Sequence, residues 1–177
     1  MKTLNRTASR FEEWFTTDTG LRIRGRRVTA SDGAAVTSSY SEPRHVLHVR
    51  RNEDVVVGQH ITDAVGNVFL LALHDEHIGV RKTFRLFRMT EQVNWKRATT
   101  TTDTVTQETR TSGLNTQPAI WIASELYGRE EVDRGLHISA DRVRIITGAN
   151  IQLNDVVNDK RVVRLTKVFG VNIAEIQ

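Results

Sequence analysis

The stretch Val55–His77, VVVGQHITDAVGNVFLLALHDEH, decides how this chain is read. Apolar residues gather on both sides of Ala64-Val65-Gly66-Asn67, and Gly66 or Asn67 can take the positive φ that a tight reversal needs. The pattern predicts a hairpin with strands over Val55–Asp63 and Asn67–Leu73. The stretch ends in His-Asp-Glu-His, which raises a rival reading: a metal or hydrolytic centre at His74 and His77. On a strand, side chains at i and i+3 point to opposite faces, so these imidazoles cannot grip one ion. A helix would bring them to one face, yet the metalloprotease pattern H-E-x-x-H sets its histidines four apart, and this run does not. His45, His48, His60 and His137 are scattered along the chain. The hairpin is the preferred reading, with His74–His77 as its polar exit.

Working outward, the same period of two recurs. LRIRGRRVT (21–29) alternates apolar and basic residues around Gly25, HVLHVRR (45–51) does so around Val46 and Val49, and TFRLFRM (83–89) sets Phe84, Leu86 and Met89 among arginines. β-Branched and aromatic residues between glycine-rich or charged turns indicate strands. Pro43 and Pro118 fall beside loop-like sequence and interrupt none of these runs. Residues 141–177 read as further strands, turning at Gly148-Ala149-Asn150 and at Asn158-Asp159. Two segments carry helical character. NRTASRFEEWF (5–15) has capping candidates in Thr7 and Ser9, early acidic residues in Glu12 and Glu13, and Phe11, Trp14 and Phe15 at helical spacing. AIWIASELYG (119–128) suits a helix or a strand.

Between Ala98 and Gln117 the composition changes, with nine threonines and only Val105 and Leu114 as larger apolar side chains. Such a segment cannot bury a core of its own. It is a long loop or a protruding β-arm that orders on a neighbour. Thr99, Thr104, Thr106, Thr109 and Thr111 are its candidate contact residues. The fold class expected is mainly β: a small β-barrel or sandwich with a short N-terminal helix and the threonine-rich loop or arm. The expected organisation is helix and linker over 1–20, a first part of the core over 21–97, the arm over 98–117 and completion of the core over 118–177.

The totals exclude several classes. No cysteine means no disulfide, thiolate nucleophile or cysteine-ligated zinc. No stretch approaches the roughly 20 apolar residues that span a bilayer, and MKTLNRTASRFEEWF lacks a signal-peptide core. There is no G-x-S-x-G elbow, phosphate-binding loop or dinucleotide-binding glycine pattern. The reading is of a protein with no catalytic set and no cofactor, made in the cytoplasm. The net charge of +4 is uneven: residues 1–51 hold 10 Lys and Arg against 5 Asp and Glu, and the remainder is nearly balanced. Arg22, Arg24, Arg26 and Arg27 concentrate the excess, pointing either to nucleic acid or another acidic partner, or to a strand edge protected by charge.

The run Val57, Gly58, Ile61, Asp63, Gly66, Phe69 and Leu71 resembles the hairpin of small β-barrel head-completion proteins of tailed bacteriophages, the stopper or neck group. The resemblance covers about twenty residues. It implies a structural virion protein, assembled in the host cytoplasm as a homo-oligomeric ring between portal or adaptor and tail proteins, around the channel that DNA traverses. Two other readings compete with it. One is a small basic nucleic-acid-binding barrel using the same arginines, and the other is a metal-dependent enzyme at His74 and His77.

Overall fold

Side chains fall by turns on the inner and outer faces of the described strands, and pairing between the end strands closes each sheet. The computed structural model describes residues 12–29, 45–73, 81–125 and 142–177. Every regular element among them is a strand: β1 (Glu13–Thr17), β2 (Arg22–Thr29), β3 (His45–Arg50), β4 (His60–Asp63), β5 (Val68–Leu73), β6 (Arg81–Arg88), β7 (Glu91–Thr102), β8 (Thr109–Glu125), β9 (Val143–Thr147), β10 (Val156–Val157), β11 (Lys160–Val168) and β12 (Val171–Ile176). They divide into two units, one holding residues up to Met89 with Phe169–Val171, the other Thr90–Val168 with Asn172–Gln177.

The first unit is a closed antiparallel barrel in the order β1-β2-β3-β6-β5-β4. It shuts where β1 meets β4, with Phe15 opposite Asp63 and Thr17 opposite Ile61. Phe15, Ile23, Leu47, Val49, Ile61, Phe69, Leu71, Phe84 and Leu86 point inward and fill it, with Val55 beside them. A barrel this narrow is packed with side chains and is not a pore. Gly25 makes room for that packing: a Cβ there would lie 2.7 Å from Leu47 Cδ1 and 3.1 Å from Val49 Cγ1. The outward residues Leu70, Ala72, Thr83 and Phe87 are buried as well, and Phe169 stacks on Arg85 at 4.1 Å. This second buried layer explains why Phe87 interrupts the alternation of β6.

The second unit is also a closed barrel, β10-β11-β12-β9-β8-β7, shut where β10 meets β7. Val93, Trp95, Ile122, Ile145, Ile151, Val157, Val162, Ala174 and Ile176 form its core. The Trp95 indole N–H donates to the Pro118 carbonyl at 2.8 Å, which satisfies the one polar group of that ring.

Several expectations change. The expected N-terminal helix is not seen: Glu13–Thr17 is a strand, with Phe15 and Thr17 buried and Trp14 and Thr16 outward. Pairing to β2 and β4 overrides the helical spacing of Trp14 and Phe15, and residues 1–11 lie outside the described residues. A single core shared by 21–97 and 118–177 is replaced by two cores divided after Met89. The segment after Pro118 continues β8 as a strand to Glu125, and residues 126–128 lie outside the described residues.

Gly25→Ala is expected to destabilise the chain by about 1–3 kcal/mol, because Leu47 is fully buried and has nowhere to swing. Leu47→Ala opens that space, so in a double-mutant cycle by chemical denaturation the two losses should sum to more than the double variant shows. Additive losses would contradict the close packing of Gly25 on Leu47.

Candidate interaction surfaces

The hairpin that decides the fold is built around Asp63 at the end of β4. Gly66, at φ +94°, supplies the positive φ of the reversal, and Gly58 N–H donates to the Leu71 carbonyl at 2.7 Å. Asp63 Oδ1 accepts from the backbone N–H groups of Val65 (3.0 Å) and Asn67 (2.9 Å). Its Oδ2 accepts from Asn67 Nδ2 (2.9 Å) and Arg27 Nη1 (3.1 Å). Burial pushes this carboxyl up, but the Asn67 side chain, the Asn67 backbone, Arg27 and the Val65 backbone together hold it below the ordinary aspartate value. The motif residues Gly58, Ile61, Asp63, Gly66 and Phe69 are therefore turn, cap and core. None of them is arranged as a reactive group.

The four arginines of β2 separate by strand parity. Arg27 lies on the inward side, bound to Asp63 and to Glu13 Oε2 (2.9 Å) and stacked on Phe69 at 5.2 Å. It spans the barrel end between two carboxylates, on the other side of the strand from the rest of the cluster the sequence groups it with. Arg22, Arg24 and Arg26 lie outward. Trp14, directly opposite Arg24 on β1, packs under both Arg22 (5.0 Å) and Arg24 (4.9 Å) and stays 45% exposed. Arg24 Nε is shielded from water and meets no acceptor, so the indole is what holds that side chain. Arg26 is opposite His48 of β3, whose Nδ1 lies 3.3 Å from Thr83 Oγ1. Next on this face, Arg50 and Arg81 sit directly opposite each other across β3 and β6. Like charges so placed repel, and the buried carboxylate of Glu12 reconciles them, at 3.2 Å from Arg50 and 3.5 Å from Arg81. The sequence flagged the β2 arginines. It could not flag Trp14, Arg50 and Arg81, which join them only through the pairing of β1, β3 and β6.

The second surface is the threonine-rich segment, which forms a β-arm. β7 is clamped as far as Ala98. The fully buried Asp155 accepts from Ala98 N–H (2.9 Å) and Gln152 N–H (2.8 Å), and Arg97 Nε lies 3.1 Å from its Oδ2. Arg97 also stacks on Trp95 at 4.9 Å and reaches the Asn150 carbonyl. Past that root, Thr99 pairs with Gly113, Thr100 with Thr111, Thr101 with Arg110 and Thr102 with Thr109, across a bulge at Thr99/Thr100. No third described strand joins this ribbon. Four residues from Thr99 to Thr102 carry it about 14 Å past its root. Asp103 turns the tip by accepting the N–H groups of Val105 (2.8 Å) and Thr106 (3.2 Å), and these bonds hold its carboxyl below the usual value. Thr104 and Thr106 are exposed at that tip, as is Val105. Thr99 Oγ1 and its carbonyl both meet Ser112 Oγ, while Thr109 and Thr111 are placed only by register.

His74 and His77 lie outside the described residues, and no three His, Asp or Glu side chains among the described residues are grouped to hold a metal. His60 is held below the ordinary histidine value by burial, with Asp18 opposing. No family model, curated protein or solved structure matches the chain.

Two outcomes are expected. Because Asp63 titrates lower folded than unfolded, its contribution is complete above the ordinary aspartate range and fades as pH falls through the folded value. Asp63→Asn should cost about 1–3 kcal/mol at neutral pH and show a flatter loss of stability on acidification, read from denaturation midpoints across pH. Asp155→Ala should cost about 3–5 kcal/mol, because it leaves Arg97 and two backbone N–H groups without their buried acceptor. A change below 1 kcal/mol would contradict that account of the arm's root.

Proposed function

We propose that this protein is a structural, non-catalytic subunit of a tailed bacteriophage, assembling with copies of itself into a ring at the head–tail junction. Portal or adaptor proteins and tail proteins are its neighbours, and DNA passes through the ring. The arm of β7 and β8 is the element that reaches the next subunit.

The observation that carries this reading is the exposure of a built strand pair. A two-stranded ribbon is marginal in water unless a third strand or a packed face supports it. Here the ribbon is rooted by the buried Asp155 and its partner Arg97, then runs on with exposed threonines and a shaped tip that no other described strand joins. Threonine suits an extended strand and offers hydroxyls to a neighbour without the apolar surface that would drive indiscriminate aggregation. A rigid barrel carrying such an arm suits a subunit whose work lies in its interfaces. The phage assignment is supported by the hairpin residues Val57, Gly58, Ile61, Asp63, Gly66, Phe69 and Leu71, which occupy the β4–β5 hairpin and its approach.

Replacing Thr99–Gly113 by an Asn-Gly turn between Ala98 and Leu114 should leave a cooperatively melting chain, since those residues lie past the root. Light scattering should report a ring mass for the intact protein and a monomer for the deletion. A deletion that assembles to the same mass, or an intact chain that stays monomeric at high concentration, would contradict the arm's role.

A further inference from the structure

We infer that the outward face of the first barrel, centred on Trp14, Arg22 and Arg24, is a binding site for the phosphate backbone of nucleic acid. The inference is independent of ring assembly, because it concerns a barrel face and not the arm.

Five arginines around this face fall into two chemical states. Arg27 is held by Asp63 and Glu13, and Arg50 and Arg81 share the carboxylate of Glu12. Arg22 and Arg24 have no carboxylate among the described residues, and both stack on Trp14. Stacking occupies the π face of a guanidinium and leaves in-plane N–H groups available to an oxyanion. It also restrains two long side chains before any ligand arrives, which lowers the ordering cost of binding. Alternate residues on one strand face stand about 6.7 Å apart, so Arg22 and Arg24 make a short linear track of two cationic groups. A chain of regularly repeated phosphates matches such a track.

The surrounding charge favours the same ligand. The described residues 12–29, 45–73 and 81–89 hold 10 Lys or Arg against 6 Asp or Glu. On the outward positions of β1, β2, β3 and β6, with the residue that leads into β1, the one carboxylate is Glu12, and Arg50 and Arg81 already hold it. An acidic protein partner would also be attracted. Two features favour nucleic acid over it: the in-line spacing of Arg22 and Arg24 on one strand face, and guanidiniums already stacked on an indole that stays half exposed.

The test is fluorescence anisotropy of the intact protein with labelled oligothymidylate and with a labelled duplex, across a salt series. Affinity should fall with salt, and Arg22→Ala with Arg24→Ala should lower the slope of log affinity against log salt by about 1.4 on the single strand. Trp14→Ala should weaken binding several-fold with both arginines still present, and Trp14→Phe should restore most of it. Tighter binding of the single strand than the duplex would assign Trp14 a base stack, and equal binding would assign the face to phosphate alone. Arg161→Ala with Arg164→Ala, on β11 of the second unit, should leave the slope unchanged. Thermal melts confirm that each variant is folded. The inference is overturned if neither nucleic acid binds at low salt, if the Arg22 and Arg24 changes leave the slope intact, or if the β11 pair lowers it equally. An acidic peptide that displaces the oligonucleotide at equal charge would overturn it as well.

Discussion

Closure of the sheet on itself is the constraint from which the rest of this molecule follows. An open sheet leaves a row of unpaired N–H and C=O groups on each edge, and such rows recruit other strands without discrimination. Here β1 turns back onto β4 and β10 onto β7, so each six-stranded sheet has no terminal strand. Closure fixes register, because a slip by one residue would send Phe15, Ile23, Leu47 and Ile61 to the solvent side together. With both sheets shut, the ribbon beyond Ala98 stands out as strand length that no other described strand joins.

Within that frame, one residue type does three different things according to its neighbours. Arg27 turns inward to the buried Asp63 and helps secure the β4–β5 turn. Arg50 and Arg81, forced opposite each other by register, share Glu12. Arg22 and Arg24 lean on Trp14. Strand parity separates Arg26 from Arg27, adjacent in sequence, and places them on opposite sides of one wall. Arg97 plays the inward role again in the second barrel, bridging Asp155 and Trp95 at the root of the arm.

Much of this was legible because alternation is a local signal. The hairpin at Ala64–Asn67, the strands around Ile23, Val49 and Phe84, and the exceptional composition of 98–117 can all be read from neighbouring residues. What was not legible depends on distant pairing. Trp14 and Phe15 fit a helix as well as a strand until β2 and β4 claim opposite edges of that segment. The division into two cores is invisible because Met89 and Thr90 carry no linker composition. Arg27 looks like its three neighbours until Asp63, 36 residues on, is brought to its guanidinium. The basic face needed three strand registers to assemble around Trp14, and no local window contains them.

Amide hydrogen exchange tests the closure account most directly, since it reads each backbone donor separately. In a dilute sample, the amides at the two seams, in Phe15–Thr17 of β1 and Trp95–Lys96 of β7, should exchange with the slow, globally limited rates of the barrel cores. Amides of Thr100–Thr102 in the same sample should exchange orders of magnitude faster, and should slow when the protein is concentrated into its assembled form. Fast exchange at either seam would mean that the sheet is open there, and would contradict the architecture on which the arm and the basic face both depend.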